Sequence, residues 1–338
     1  MVLGTGLPPR SMSEFIPRQY MPLRIAVVGV GKWGINHLRT LDNIREQGSD
    51  IELHACDIDS TRKGASQPIR ATWHEDISSL ISSKLIDAAV IATPSDTHVE
   101  ISLELLSHGI HLLVEKPLGA EPEDTAEVLS CATENGRELA IGLQLRFHPS
   151  IIEARRLLRQ GELGRIEQII CKRYSTRKSQ GISKLIENLG IHYLDLCCHL
   201  VGEIEPESVC LDYEEDDCMI SARAALEFQT GIEGLCNIGW GHDEDISSVE
   251  LIGTEATIEI DLHAHDSIII SDKSTIKQHV LSQNMSPLES QLNHFLSRLR
   301  DRAGSVGPMA DAGAVLRSTR LVSLAKQSIF KPIVSKQH

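Results

Sequence analysis

The sequence predicts a doubly wound α/β domain on a parallel sheet, joined to an α+β domain with an open, mostly antiparallel sheet. Two observations carry that prediction. Up to about residue 148, short continuous apolar runs alternate with longer amphipathic stretches, as strands buried on both faces and their crossover helices do. Beyond about residue 150 the runs turn rich in β-branched residues, and several alternate polar with apolar, as strands covered on one side do. A length of 338 residues suits two such domains, expected at 21–148 and 149–338 after a flexible tail at 1–20.

In the first domain the apolar runs predict strands at 25–28, 51–56, 88–92, 110–114 and 139–143. Helices are predicted at 33–47, 97–108 and 122–135, each followed by a glycine (Gly48, Gly109, Gly136) where a helix end favours positive φ. In the second, helices are predicted at 150–160 and 185–200, ending near Gly161 and Gly202. Strands follow at 165–174, 207–213, 219–228, 232–240, 248–252, 257–261 and 267–270. The acidic run 214–217 reads as a solvated hairpin turn, and helices at 287–302 and 310–329 close the chain.

Composition narrows the function. Thirty-three Lys and Arg against 47 Asp and Glu give a net charge of −14, which disfavours non-specific binding to nucleic acid or anionic membrane. A small anionic ligand remains compatible, because helix ends and a few local cations can hold it. Eight scattered cysteines form no C-x-x-C pair and fit a reducing compartment, so the cytoplasm is expected. No apolar run reaches the length of a spanning helix. His263 and His265 could share a strand face, but no partner stands at ligand spacing, so no metal is expected.

Gly29-Val30-Gly31-Lys32-Trp33-Gly34 follows the first strand and opens the first helix. Gly29 permits the tight turn, Gly31 lets the backbone approach a pyrophosphate, and Gly34 lets helix and strand pack closely. The free N–H groups of the helix start then face the phosphates. Asp57 ends the second strand, where a carboxylate accepts the ribose hydroxyls of adenosine. With Asp59 beside it, a 2′-phosphate would meet like charge, so NAD is favoured over NADP. Arg62 is the one nearby cation that could hold such a phosphate.

Further motifs stand at strand ends: Ala92-Thr93-Pro94-Ser95-Asp96-Thr97-His98, then Glu115-Lys116-Pro117, then 142–149 (GLQLRFHP). Gly190-Ile191-His192 with Asp195, and 291–300 (QLNHFLSRLR), follow in the second half. In that order the chain resembles the glucose–fructose oxidoreductase/inositol dehydrogenase/MocA family over nearly its whole length after Met21. The resemblance implies a Rossmann-type first domain, a catalytic Lys116 and a nicotinamide contact from Glu115. It also implies cofactor contacts from Thr93, Pro94 and His98.

A lysine beside the cleft can bond a substrate hydroxyl, and nearby positive charge would lower its pKa and aid proton exchange. Asn188, His192 and Asp195 fall at i, i+4 and i+7, one face of a helix. In the family this helix presents a histidine to the reacting hydroxyl, and His192 fits. Asn188 stands where the family usually has Asp; an amide cannot relay a proton, so Asn188 is expected to orient sugar or His192. Within the family the N-x-G-x-H form resembles bacterial nucleotide-sugar dehydrogenases that oxidise C3 of UDP-N-acetylglucosamine or its uronic acid. Gln144 and Arg146 follow the last strand of the first domain, at the gap between cofactor and substrate. Arg173, Arg177 and Lys178 form a second cationic group that could hold a diphosphate or carboxylate.

The expected function is therefore NAD-dependent oxidation of a sugar's secondary alcohol, C3 of a UDP-linked amino sugar first. A free polyol such as inositol, or reduction of a 3-keto sugar, is the near alternative. A non-catalytic NAD-binding regulator is the rival of another class; it would need neither Lys116 nor His192. A homodimer or homotetramer through the second sheet is expected, since that sheet offers a face a monomer would leave open.

Overall fold

The apolar runs of the first half form a six-stranded parallel sheet. In chain order they are β1 (Leu23–Val28), α1 (Lys32–Glu46), β2 (Ile51–Cys56), α2 (Arg62–Ser66), β3 (Ala71–His74), α3 (Ile77–Ser82), β4 (Ala88–Ile91), α4 (His98–Ser107), β5 (His111–Val114), α5 (Pro122–Glu134) and β6 (Leu139–Ile141). The computed structural model describes residues 22–66, 69–282, 285–300 and 307–329, so the expected tail lies outside the described residues. Strand order is β3-β2-β1-β4-β5-β6, and the winding reverses between β1 and β4. That reversal opens a crevice at the carboxyl ends of those two strands. Gly48, Gly109 and Gly136 each follow a helix with φ of +103°, +77° and +60°, the left-handed values a helix stop requires.

Three elements of this half escaped the sequence reading: α2, β3 and α3. β3 is Ala-Thr-Trp-His, four residues with one buried side chain, and α3 is a short helix capped by Asp76. The strand that Thr93 follows is consequently the fourth of the sheet, and Lys116 follows the fifth.

The second half begins with α6 (Pro149–Gln160) and β7 (Ile166–Ser175), then α7 (Ile182–Leu185), a π turn (Ile186–Gly190) and α8 (Ile191–Leu200). β8 (Ser208–Glu215), β9 (Ile220–Glu227), β10 (Glu233–Trp240), β11 (Ile246–Gly253), β12 (Ala256–Asp261), β13 (Ser267–Asp272) and β14 (Ile276–Val280) complete an eight-stranded sheet. Its order is β14-β13-β12-β11-β7-β10-β9-β8, with β7 and β10 the parallel pair and the others antiparallel. β14 is the strand the sequence reading missed; Ile276 and Val280 stand exposed on an edge, so no burial pattern marks it. Glu214 and Glu215 close β8, and Asp216 turns the chain by accepting the N–H groups of Cys218 and Met219, both at 2.8 Å.

α9 (Pro287–Arg300) packs on the first sheet, and α10 (Ala312–Ile329) joins the two halves. Leu292, Phe295 and Leu296 of α9 share a core with Ile25, Val27, Leu38 and Leu41. α10 sends Leu321 and Val322 into the other core, which runs from β4 and α5 through α8 to β9 and β10. Each such buried aliphatic side chain contributes roughly 1.5–3 kcal/mol. All eight cysteines are free, as the scattered spacing suggested.

Candidate active site

The glycine loop sits at the reversal point. Gly29 has φ of +86°, and a Cβ there would stand 2.7 Å from the Thr93 amide nitrogen. Gly34 lies so close to the first turn that a Cβ would overlap the Gly29 carbonyl oxygen. Gly31 is different: a Cβ would meet nothing within 4 Å, so the backbone is bare toward open space. It precedes α1 with no side chain capping the helix start, which leaves N–H groups for an anion. These are the features a pyrophosphate requires. Gly34→Ala is expected to abolish NADH binding in a fluorescence titration and to lower the melting temperature as well, since backbone must shift; undiminished binding would contradict this reading of the loop.

Asp57 follows β2 and pins the loop, accepting the Val30 N–H at 2.6 Å and the Asp59 N–H at 2.9 Å. Its position at the strand end suits ribose hydroxyls. Arg62 is drawn to Asp59 at 3.3 Å, so the cation that could favour a 2′-phosphate already faces a carboxylate. Lys32 and Trp33 begin α1 with exposed side chains. The group of donors fits a dinucleotide with an unphosphorylated ribose.

Across the crevice, a cavity of about 170 Å³ is lined by Trp33, Ala92, Thr93, Glu115, Lys116, Lys184, Glu187 and Asn188, among others. Larger hollows, of about 540 and 600 Å³, lie on the outer surface near Arg70 and near Arg159, away from these groups. Thr93 accepts a hydrogen bond from Thr97 at 2.8 Å, and Pro94 is exposed at the rim. Gln144 is half-buried in the turn after β6.

Lys116 reaches over from the end of β5 and donates to the Asn188 carbonyl oxygen at 3.1 Å. The acceptor belongs to the π turn, whose inserted residue displaces the ordinary helical ladder, and such turns recur at functional sites. Asn188 therefore meets Lys116 through its backbone. Burial lowers the Lys116 pKa, opposed by the charges of Glu115 and Glu187. His192 is half-buried on α8, and its Nδ1 is shielded from solvent without a hydrogen-bond partner among the described residues. Burial and then the Lys116 charge hold this imidazole well below its ordinary pKa. The imidazole is thus neutral near pH 7.

Four residues expected at ligands are engaged by the protein's own groups, one of them, His98, on the lining of the cavity itself. Arg146 and Asp195 bind each other: Arg146 Nε and Nη2 each lie 2.6 Å from an Asp195 oxygen, both side chains are buried, and Arg146 also meets Glu203 at 2.9 Å. The π turn breaks the regular face that was to align Asp195 with Asn188. Arg173 is held by Asp245 at 2.8 Å and by the Tyr174 carbonyl at 2.6 Å, fastening β7 to the lead-in of β11. His98 is buried, its Nδ1 2.7 Å from the Pro117 carbonyl and its Nε2 3.0 Å from that of Thr93, so the ring clips two loops together. Arg177 and Lys178 remain exposed after β7.

The sequence reading passed over several residues at the site. His37 is buried on α1 and its Nε2 lies 2.7 Å from Glu115 Oε1. A lone polar residue amid the apolar face of Leu38 and Leu41 was the available signal. Gly142 is required beside Glu115, because a Cβ would come within 2.8 Å of Oε2. Lys184 and Glu187 pair at 2.9 Å, and Lys326 of α10 holds the other Glu187 oxygen at 2.7 Å. Their i, i+3 spacing just before Asn188 was legible but ordinary.

A bare phosphate loop at the switch point, with Lys116 at a strand end of the same sheet and His192 of α8 close enough to feel its charge, is the arrangement of a dinucleotide-binding site. Comparison with known proteins makes this specific. A family model for oxidoreductases with an NAD-binding Rossmann fold matches residues 23–143, and one for the Gfo/Idh/MocA C-terminal domain matches 151–259. The chain belongs to the Gfo/Idh/MocA oxidoreductase family. Inositol 2-dehydrogenase 2 of Saccharopolyspora erythraea is 30% identical over 190 residues, 54% of this chain and 55% of that protein. This chain thus spans about half the length of that relative. The scyllo-inositol 2-dehydrogenase (NAD(+)) of Bacillus subtilis is 26% identical over 73% of this chain and 76% of its own length. The UDP-N-acetylglucosamine 3-dehydrogenase GnnA from Acidithiobacillus ferrooxidans shares the fold, with a TM-score of 0.78 at 22% identity over 91% of this chain and 98% of that one.

Proposed function

We propose that this protein oxidises a secondary alcohol of a sugar with NAD, acting on C3 of a UDP-linked N-acetylamino sugar. In this reading residues 21–148 hold the dinucleotide and residues 149–338 hold the sugar. The observation that carries it is Lys116 in the lining of the cleft beside the phosphate loop, with His192 of α8 near enough for the Lys116 charge to depress its pKa. Bound NAD supplies the hydride acceptor. His192, kept neutral, accepts the hydroxyl proton as hydride leaves the same carbon. Lys116, fixed by the Asn188 carbonyl, donates to the substrate oxygen and steadies the charge that develops on it. Most of the acceleration comes from holding the two reactants together.

The UDP-linked substrate is supported by the N-x-G-x-H pattern and by the shared fold of a protein named for that reaction. Arg177 and Lys178, whose side chains are exposed after β7, are the cations left to meet a diphosphate. The inositol dehydrogenases among the relatives support a free polyol as the second reading. NADH formation at 340 nm with UDP-N-acetylglucosamine, against myo-inositol and glucose, tests the choice. Reduction of NAD by the free polyols alone would remove the nucleotide-sugar assignment.

The pH profile follows from the two pKa directions. His192 must be unprotonated, and its pKa is depressed, so the acid limb of kcat/KM is expected below the ordinary imidazole value of 6.5. Lys116 must be charged, and its pKa is depressed too, so the alkaline limb is expected below 10.5. An acid limb at or above the ordinary imidazole value would take His192 out of the base role. The eight-stranded sheet is proposed as the surface of a homodimer or homotetramer, and light scattering is expected to give a mass at least twice 37.3 kDa. A monomeric mass would contradict it.

A further inference from the structure

The proposed reaction leaves unused a buried imidazole one turn beyond the phosphate loop. His37 is fully buried on α1, yet it reaches the end of β5, where its Nε2 lies 2.7 Å from Glu115 Oε1. Glu115 is fixed from two further directions. Its Oε2 accepts the Lys116 backbone N–H at 3.3 Å, and Gly142 leaves the gap it occupies. The His37 Nδ1 has no hydrogen-bond partner among the described residues. With a proton on Nε2 the ring donates to the carboxylate.

We propose that His37 is a positioning residue that keeps Glu115 ionised and aimed, and through Glu115 sets the proton affinity of Lys116. This rests on the reading of Lys116 as the amine that acts on substrate. A carboxylate this enclosed would take up a proton unless donors and cations surround it. Burial does push Glu115 up, but the His37 hydrogen bond and the charges around the carboxylate outweigh it. The charged groups facing Lys116 are Glu115 from its own strand end, Glu187 from the π turn and His192 from α8. Glu187 is already held by Lys184 and Lys326, so Glu115 is the carboxylate whose charge a single neighbouring ring governs. With that donor removed, Glu115 gains proton affinity, its negative charge fades near neutral pH, and the Lys116 ammonium loses its support.

The test is the pH dependence of Lys116 acylation by acetic anhydride in the full chain, read by peptide mass spectrometry. Amine reactivity follows the unprotonated fraction and needs no turnover. H37L is expected to move the Lys116 midpoint down by about one unit and carry the alkaline limb of kcat/KM with it. H37Q, whose amide can donate to the same oxygen, is expected to return the midpoint to the wild-type value. An unmoved midpoint in an H37L chain with a native melting profile would overturn the proposal. If H37L does not fold, E115Q replaces it: the same downward shift supports the proposal and an unmoved midpoint overturns it. A chain that shows these shifts but oxidises no sugar with NAD would refute the proposed reaction while the link from His37 to Lys116 stands.

Discussion

Replacing Lys116 by methionine is expected to lower kcat roughly 10²–10⁴-fold, the usual worth of a positioned acid–base group, while NADH binds as before. The side chain lies in the cleft lining and donates to the Asn188 carbonyl, so methionine keeps the stem and removes the donor. The phosphate loop and Asp57 lie on other elements and keep their own bonds. A loss confined to turnover is therefore the signature. Stopped-flow hydride transfer separates it from slow product release. Unchanged turnover would take Lys116 out of the mechanism, and lost NADH affinity would make it a cofactor ligand only.

The largest effect on stability is expected from Arg146→Met. Arg146 is buried and joins four elements: the turn after β6, Asp195 of α8, and Glu203, which in turn binds His199 at 2.6 Å and Arg317 of α10. Removing the guanidinium leaves two carboxylates without their shared counter-ion, a loss of about 3–5 kcal/mol. Given how small net stabilities are, that lowers the melting temperature by about 5–15 °C. The effect depends on pH in a definite direction. Burial raises the Glu203 pKa, but the His199 bond and the Arg146 charge outweigh it and hold it well below the ordinary value of 4.5. Stability from this carboxylate is present above its unfolded pKa and lost as pH falls toward the folded one. The gap between variant and wild type should therefore narrow in melts taken from pH 7 down to pH 4. A gap that widens on acidification would show that the network is not held by charge.

Most of the architecture could be read from apolar continuity and glycine placement. The runs at 25–28 and 51–56 are strands because both faces are buried, and the glycines after three helices take the φ a helix stop needs. β3 and β14 were illegible for the opposite reason: one is short and largely polar, the other an exposed edge. At the site, the phosphate loop, Asp57, Lys116 and His192 were legible because each sits at a strand end or on a helix face with a chemical motive. The partners that Arg146, Asp195, Arg173 and His98 hold within the protein were not legible, because a charged or titratable side chain looks the same in sequence whether it faces a ligand or a partner across the fold. Their partners are 49 residues apart for Arg146 and Asp195, and 72 for Arg173 and Asp245, beyond any local pattern. The π turn was hidden as well, since one inserted residue leaves apolar periodicity nearly intact while moving a carbonyl onto Lys116.

The most direct measurement is a crystal structure of the protein with NADH and the substrate analogue UDP-N-acetylgalactosamine. The account predicts one sugar hydroxyl about 3 Å from both Lys116 Nζ and a His192 ring nitrogen, with its carbon facing the nicotinamide. A sugar bound elsewhere, or one in which the amine and the imidazole address different groups, would contradict it.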